Sequence, residues 1–422
     1  RIHHPTAPEA RDSPAMQTTA RNRRPAIPNL AIIRSLSRLL TIDASVSQYS
    51  GEMRKTYRSP WGAASMSHYY CNLVLFLGLF TAWVAAPAAV YADETPWVLE
   101  TWQTPYDYQS PSRVVYYIPL EHAKKKWRLC VSYPHLKDSY WLSVNYGMVE
   151  EARRLGVALS VVEAGGYPNV ERQIAQVQEC AGRADILVLG TVSFDGLTET
   201  VLEIAKRIPV VAVVNDIADA GISAKTGVSW ISMGQLIGEY LARVHPEGSP
   251  PVRIAWFPGP AGSGWVPFVE QGFKNALVNS SAQIVVTKYG DTGKDIQLNL
   301  IEEALEEQPD VDYIVGSAVT AEAAVGVLRA RGLTDRIKVL SDYFTHAVYR
   351  GLKRGRILAA PTDFPVKQGR LGIEQAVRVL EGSLIFNHAG PAIQVVDTMN
   401  VDDIGTEGSL APATFAPTFV VE

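Results

Sequence analysis

The stretch LCVSYPHLKDSYWLSVNYGMVEEARRLGVALSVV, residues 129–162, decides the fold of this chain. It begins with the apolar run LCVSY and ends with the apolar run VALSVV, each as long as a buried strand. The longer segment between them begins near Ser139 and is typical of a helix. Strands that are covered on both faces of a parallel sheet consist of such continuous runs. The stretch therefore predicts a strand–helix–strand unit.

The same alternation continues over about 270 residues, as in proteins with parallel sheets. Seven further apolar runs follow: DILVLG at 185, PVVAVV at 209, VRIAWF at 252, AQIVVT at 282, VDYIVG at 311, IKVLS at 337 and ILAAP at 357. The segments between them are amphipathic; one starts after Asn169, and another ends before Pro309. Nine or more units exceed one ordinary open sheet, so we expect an α/β protein whose two parallel sheets, flanked by helices, form two lobes.

The front of the chain indicates export. Residues 72–90 carry no charge, a basic run begins at Met53, and small residues end at Ala92. These features predict a cleavable signal peptide over 53–92, with an uncleaved membrane anchor as the alternative. Residues 1–52 show no sustained period, so we expect translation to begin at Met53. The sequence therefore predicts a periplasmic protein.

Charge and cysteine content set further bounds. The net charge of −4 gives no electrostatic basis for binding nucleic acid. Cys71 would leave with the signal peptide, whereas Cys130 and Cys180 would stay in an oxidising compartment. One disulfide is then permitted, and two buried free thiols are the alternative.

Large aromatic residues recur in the loops that follow the predicted strands. Ligands of open α/β sheets bind beyond the carboxyl ends of the strands, so these loops are the candidate site. Each aromatic residue alone is more often a packing residue, but their repeated placement favours a shared aromatic cleft. Such a cleft suits methyl groups around a positive nitrogen, and sugar rings also stack on aromatics. The set comprises Tyr140, Trp141, Tyr167, Trp230 and Tyr343.

Four polar residues follow the same strands. They are Asp138, Asn215, Asp216 and Asp342. Asp138 could contact the ligand or cap the helix that begins near Ser139. Asn215 and Asp216 could instead turn the chain after a strand.

We find no sequence signature of catalysis. The chain has no nucleophile elbow, no metal-spaced His or Cys cluster and no P-loop. The run GPAGSG at 259–264 follows a strand but lacks the lysine of a P-loop, so we expect a flexible loop at the lobe edge that touches a partner. The sequence predicts that the protein is not an enzyme and needs no cofactor.

Several of these segments resemble the TorT family of periplasmic binding proteins. They are residues 129–157, VVEAGGY at 161, GVSWISMGQ at 227, GSAVTAEAAVG at 316 and HAVYRGLKRGRI at 346. The resemblance covers roughly Lys126 to Ala392. It implies the two-lobed type I fold of the ribose-binding class, with a ligand cleft between the lobes. It also implies trimethylamine N-oxide (TMAO) as the ligand and a TorS-like sensor histidine kinase as the partner.

The resemblance assigns roles to particular parts of the chain. It implies that the five aromatic residues surround the trimethylammonium group and that Cys130 and Cys180 form a disulfide. It also implies chain crossings, so we expect an N-terminal extension at 93–125 and two interleaved lobes. Lobe one would hold 126–228 and about 362–392, and lobe two would hold 229–361 and about 393–422.

Two positions depart from the family pattern. Ser229 stands where the family has proline, and Asp342 stands where we expect an uncharged residue. A carboxylate at 342 would either favour a cationic ligand or point into solvent. The sequence thus predicts a sensor-linked binding protein for a small methylated amine. The alternative is the substrate-binding subunit of an importer for a sugar or other small solute.

Overall fold

The structure is a computed structural model that describes residues 96–422. The predicted signal peptide, the stretch at 1–52 and Cys71 lie outside these residues. Within residues 96–422, no helix is both long and apolar enough to cross a membrane.

The described chain folds into alternating strands and helices. The strands are β1 (Trp97–Trp102), β2 (Ser112–Tyr117), β3 (Arg128–Tyr133), β4 (Ala158–Glu163), β5 (Ile186–Leu189), β6 (Val210–Val213), β7 (Ala224–Thr226), β8 (Val252–Gly259), β9 (Ala282–Tyr289), β10 (Tyr313–Gly316), β11 (Lys338–Ser341), β12 (Ala359–Thr362), β13 (His388–Gly390), β14 (Gln394–Asp397) and β15 (Val420–Val421). The helices are α1 (Ser139–Leu155), α2 (Val170–Ala181), α3 (Thr198–Ala205), α4 (Trp230–Val244), α5 (Val266–Ala276), α6 (Lys294–Glu307), α7 (Ala318–Ala330), α8 (His346–Lys353) and α9 (Pro365–Leu380). All nine predicted apolar runs are strands.

The first lobe is built on a nine-stranded sheet with the order β15-β4-β3-β5-β6-β7-β13-β1-β2. Its centre, from β4 to β13, is parallel, whereas β15, β1 and β2 join at the edges in antiparallel pairs. The stretch at 93–125, predicted as an extension, therefore contributes two strands to this sheet. The last strand, β15, also belongs to it, so the assignment of all of 393–422 to the second lobe is wrong at its end.

The second lobe is built on a four-stranded parallel sheet with the order β11-β10-β8-β9. The predicted strand at 357 does not join this sheet. It forms β12, which pairs with β14 in a separate antiparallel ribbon. The chain passes between the lobes at 226–230, 362–365 and 390–394, because α4 follows β7, α9 follows β12 and β14 follows β13.

Glycines allow the helices of two pairs to pack so closely that their backbones are in contact. A Cβ atom on Gly147 of α1 would lie 2.0 Å from the Val366 carbonyl oxygen of α9, and one on Gly234 of α4 would lie 1.9 Å from the Val269 carbonyl oxygen of α5. No larger residue fits at either crossing, since real Cβ contacts are much longer. The contact between α1 and α9 holds α9 on the first lobe. The chain therefore re-enters the first lobe at α9 after passing through the second lobe.

A disulfide joins Cys130 of β3 to Cys180 of α2 in the structure, with Cα atoms 5.7 Å apart. It fastens α2 to the central sheet of the first lobe and closes a loop across 50 residues of sequence. Cross-links of this kind typically stabilise a domain by about 2–4 kcal/mol.

Candidate functional site

A small cavity lies between the two lobes, beyond the carboxyl ends of the strands. Its accessible volume is about 10 Å³, far less than the ~300–1,000 Å³ of pockets for drug-sized ligands. Seven of the nine candidate residues line it, all except Asp216 and Asp342, and Trp265 and Thr292 line it as well. The lining residues are Asp138, Tyr140, Trp141, Tyr167, Asn215, Trp230, Trp265, Thr292 and Tyr343.

The aromatic rings of the cavity wall come from both lobes and contact one another. Tyr140 of the first lobe meets Tyr343 of the second at a centroid distance of 5.2 Å, and Trp265 lies 5.4 Å from Trp230 and 5.8 Å from Tyr343. Tyr167 lies 6.4 Å from Trp265. All these rings are buried. They form a box whose ring faces and edges attract apolar and cationic groups.

The polar groups of the wall are mostly satisfied by the protein itself. Asn215 Nδ2 donates to the Thr191 carbonyl oxygen at 2.7 Å and to the Tyr167 hydroxyl at 3.2 Å. The Trp230 indole donates to the Val214 carbonyl oxygen at 3.0 Å. Trp265 Nε1 is different, because it is buried and no acceptor within residues 96–422 meets hydrogen-bond geometry. Burial raises the pKa of the Tyr167 hydroxyl, and Trp265 is near enough only to lower this pKa against that larger effect. A ligand oxygen in the cavity would supply its acceptor.

Asp138 combines the two roles that the sequence left open. Its Oδ1 accepts hydrogen bonds from the backbone N–H groups of Tyr140 and Trp141, at 3.0 and 3.1 Å, and so caps α1. The same residue lies on the cavity wall. Its charge also contributes to raising the pKa of Tyr343, after the larger effect of burial. Asp138 therefore places a carboxylate beside the aromatic box.

Replacing Asp138 by alanine should destabilise the protein by about 1 kcal/mol, the usual value of a lost N-cap. Asp138→Asn should keep the cap and the stability, because asparagine is an equally good capping residue. Urea unfolding of both variants measures the difference. Equal stability of the alanine variant and the natural protein would show that the cap is not needed.

Asp342 does not reach the cavity wall, in contrast to the prediction. It is fully buried, and neither carboxylate oxygen has a hydrogen-bond partner in the described part of the chain. Burial raises the pKa of Asp342 well above its usual value. Consecutive residues at a strand end project to opposite sides, so Tyr343 faces the cavity and Asp342 does not. It lies neither on the cavity wall nor in solvent.

Ser229 has a local structural role. Its side chain accepts a hydrogen bond from the Ser232 backbone N–H at 3.1 Å and so caps α4 at the first residue, Trp230. Serine and proline both suit a helix N-terminus. Ser229 therefore fits the start of α4 without the proline that the resemblance led us to expect.

The two lobes touch around the cavity. Asp216 of the first lobe donates its backbone N–H to the Gly264 carbonyl oxygen of the second at 2.9 Å. His135 and Thr292 are hydrogen-bonded through their side chains at 2.9 Å. The loop at 259–264, predicted to be a flexible edge, therefore lies in the interface between the lobes. The lobes are closed over the cavity.

Sequence reasoning missed Trp265 and Thr292. Trp265 had the signal used elsewhere, a large aromatic residue after a predicted strand, but its loop was interpreted as a partner contact. Thr292 had no comparable signal beyond its position after β9. No group of three or more His, Cys, Asp or Glu side chains in the described part of the chain could hold a metal ion.

Comparisons with known proteins agree with this geometry. Residues 126–416 match the model of periplasmic binding proteins and the sugar-binding domain of the LacI family. The periplasmic protein TorT of Escherichia coli K12 is 41% identical over 301 residues, which are 70% of this chain and 85% of TorT.

Two solved structures are similar. An ABC transporter solute binding protein from Bradyrhizobium sp. BTAi1, with bound Bis-Tris, is 47% identical, with a TM-score of 0.67 over 77% of this chain and 98% of that one. The complex of the TorS sensor domain with TorT, in the presence of TMAO, is 41% identical, with a TM-score of 0.64 over 70% of this chain and 100% of that one. The chain belongs to the periplasmic binding protein family and, within it, to the TorT family.

Proposed function

We propose that the protein binds TMAO, or a closely related small methylated amine, between its lobes and reports it to the periplasmic domain of a TorS-like sensor histidine kinase. The aromatic box carries this proposal. Its rings attract a methylated cationic nitrogen by about 0.5–2 kcal/mol each, and the unpaired Trp265 indole would donate to the N-oxide oxygen. Asp138 adds a negative charge on the wall that favours the positive nitrogen.

The polar content of the box speaks against a sugar. A sugar needs several hydrogen-bond partners, and a buried hydroxyl without one costs about 1–3 kcal/mol. The wall offers few, because Asn215 is bonded to Thr191 and Tyr167, and Thr292 is bonded to His135. The small cavity also favours a ligand of few atoms.

Calorimetric titration of the exported domain, residues 93–422, tests the ligand. We expect binding of TMAO, weaker binding of choline and glycine betaine, and no binding of ribose. Glycine betaine and choline serve as controls for the methylated nitrogen alone, because they lack the N-oxide. Tight ribose binding with no response to TMAO would overturn the proposal.

A second function, delivery of a small solute to an importer, is favoured by one observation. The solved relative at 47% identity is an ABC transporter solute binding protein, and it holds Bis-Tris, a tertiary amine. The same aromatic box would serve such a subunit. The two functions are separated by measuring whether the protein binds a sensor domain or a permease.

We further propose that the chain is exported to the periplasm by the signal peptide at 53–92 and acts there as a binder, not as a catalyst. The matched TorT relative is a periplasmic protein. The interleaved lobe boundaries near 228, 361 and 392 belong to the same proposal. Mass spectrometry of the exported protein should find its N-terminus at Asp93, and an N-terminus upstream of Met53 would contradict this.

A further inference from the structure

The hairpin formed by β1 and β2 leaves an open, apolar edge on the first lobe. Val98, Val114 and Tyr116 lie on one face of the hairpin, and Ile118 follows its second strand; their exposed fractions are 44, 61, 77 and 58%, and we call the four residues the hairpin edge. Strand β2 pairs in regular register with β1 on one side and ends the sheet on the other. Natural edge strands are usually protected by lysine, proline, a bulge or short length. Strand β2 carries one exposed charge, Arg113, but no lysine, proline or bulge, whereas the opposite edge is the two-residue β15.

The hairpin lies outside the part of the chain that the family model matches. The family model matches residues 126–416, whereas β1 and β2 lie before residue 118. The matched part already contains both lobes and the whole ligand cavity. An exposed apolar patch outside that part is typical of a protein–protein contact.

The tip of the hairpin reaches the seam between the lobes. Tyr106 and Tyr108 line a groove whose far wall includes Ile231 and Phe268 of the second lobe. Across this seam the rings of Phe194 and Phe268 lie 5.4 Å apart. The groove therefore takes this form only when the lobes are closed.

Buried contacts join the tip to the ligand cavity. Lys225 Nζ lies 5.1 Å from the centroid of the Tyr108 ring and 2.5 Å from Asp216 Oδ1. The backbone of Asp216 makes the hydrogen bond to Gly264, and Gly264 precedes Trp265 of the cavity wall. A protein bound at the hairpin would thus contact the elements that meet on closure.

We propose that the hairpin, through the hairpin edge on its strands and the seam groove at its tip, forms the docking surface for the periplasmic domain of the sensor kinase. The sensor domain covers the hairpin edge with an apolar segment and contacts the second lobe at the groove. The inference rests on the proposed function. Pairing of β2 with a second copy of this chain would cover the open edge. It would not account for the groove at the hairpin tip, whose form depends on closure of the lobes.

The test uses Tyr116→Thr combined with Ile118→Thr. Both side chains are exposed, and threonine favours strands, so the variant keeps the fold. We expect its affinity for the purified periplasmic domain of the cognate TorS-like kinase to fall about tenfold in biolayer interferometry, as for a central interface residue. Its TMAO affinity should stay unchanged. Val278→Thr, 76% exposed and far from the hairpin in sequence, is the matched control and should bind as the natural protein does.

Three outcomes would overturn the inference, and they are distinguishable. Unchanged sensor affinity of the double variant would remove the docking surface but leave the proposed function. A natural protein that binds TMAO but no sensor domain would remove both. A dimer of the natural protein in sedimentation velocity that the double variant abolishes would assign the edge to a second copy.

Discussion

Trp265→Phe should weaken TMAO binding by about 10–100-fold, because the ligand oxygen loses its buried donor while the aromatic wall stays in place. Trp265 is buried against Trp230 and Tyr343, and its Nε1 is unpaired in the described structure. Tetramethylammonium, which is similar in size but has no oxygen, should lose much less affinity. Calorimetry with the two ligands separates the hydrogen bond from the ring contact.

Trp256→Phe is the matched control for this experiment. Trp256 is also a fully buried tryptophan of the second lobe, and its Nε1 has no partner within residues 96–422, but it stacks on Phe273 and is not part of the cavity wall. Its replacement should leave both affinities unchanged. Equal losses of TMAO and tetramethylammonium in Trp265→Phe would show that Trp265 contributes only its ring. No loss at all would show that it does not face the ligand.

The fold was largely predictable because most strands are buried on both faces. The nine apolar runs are continuous for that reason, and each one is a strand. The hairpin strands were missed because their outward side chains alternate with buried ones, as in Val98 and Leu99. Strand β15 was unpredictable for another reason. It has two residues and pairs with β4, so only the tertiary structure defines it.

The candidate site was predictable where strand ends and aromatic residues coincide. Parallel strands bring their carboxyl ends to one edge, which gathered Tyr140, Trp141 and Tyr167 in the first lobe. The direction in which each side chain points was not predictable, because neighbouring residues of a strand point to opposite faces of the sheet. An error of one residue in the strand end therefore places a side chain on the wrong face. This accounts for the error at Asp342. The loop before Trp265 contacts the other lobe only when the lobes are closed. The sequence gives no information about this closure, so the contact was not predictable.

Gly264→Ala should reduce TMAO affinity by about 10–100-fold, because an added methyl group in a packed contact costs about 1–3 kcal/mol. A Cβ at this position would lie 2.0 Å from the Asp216 carbonyl oxygen, on the other side of the interface between the lobes. The variant disfavours the closed form, and apparent affinity falls with the fraction of molecules that can close. A form with the lobes apart would lack this contact, so we expect the melting temperature without ligand not to change.

Small-angle X-ray scattering with and without TMAO measures the closure directly. We expect the radius of gyration of the natural protein to fall on adding ligand, and that of Gly264→Ala to fall less. Gly326→Ala, a helical glycine with no atom within 4 Å of its added Cβ, should behave as the natural protein does. Full compaction and unchanged affinity of Gly264→Ala would contradict a closed state of this geometry. Because Trp265→Phe leaves this backbone contact intact, it should still close at saturating TMAO, and the two neighbouring variants thereby separate ligand recognition from lobe closure.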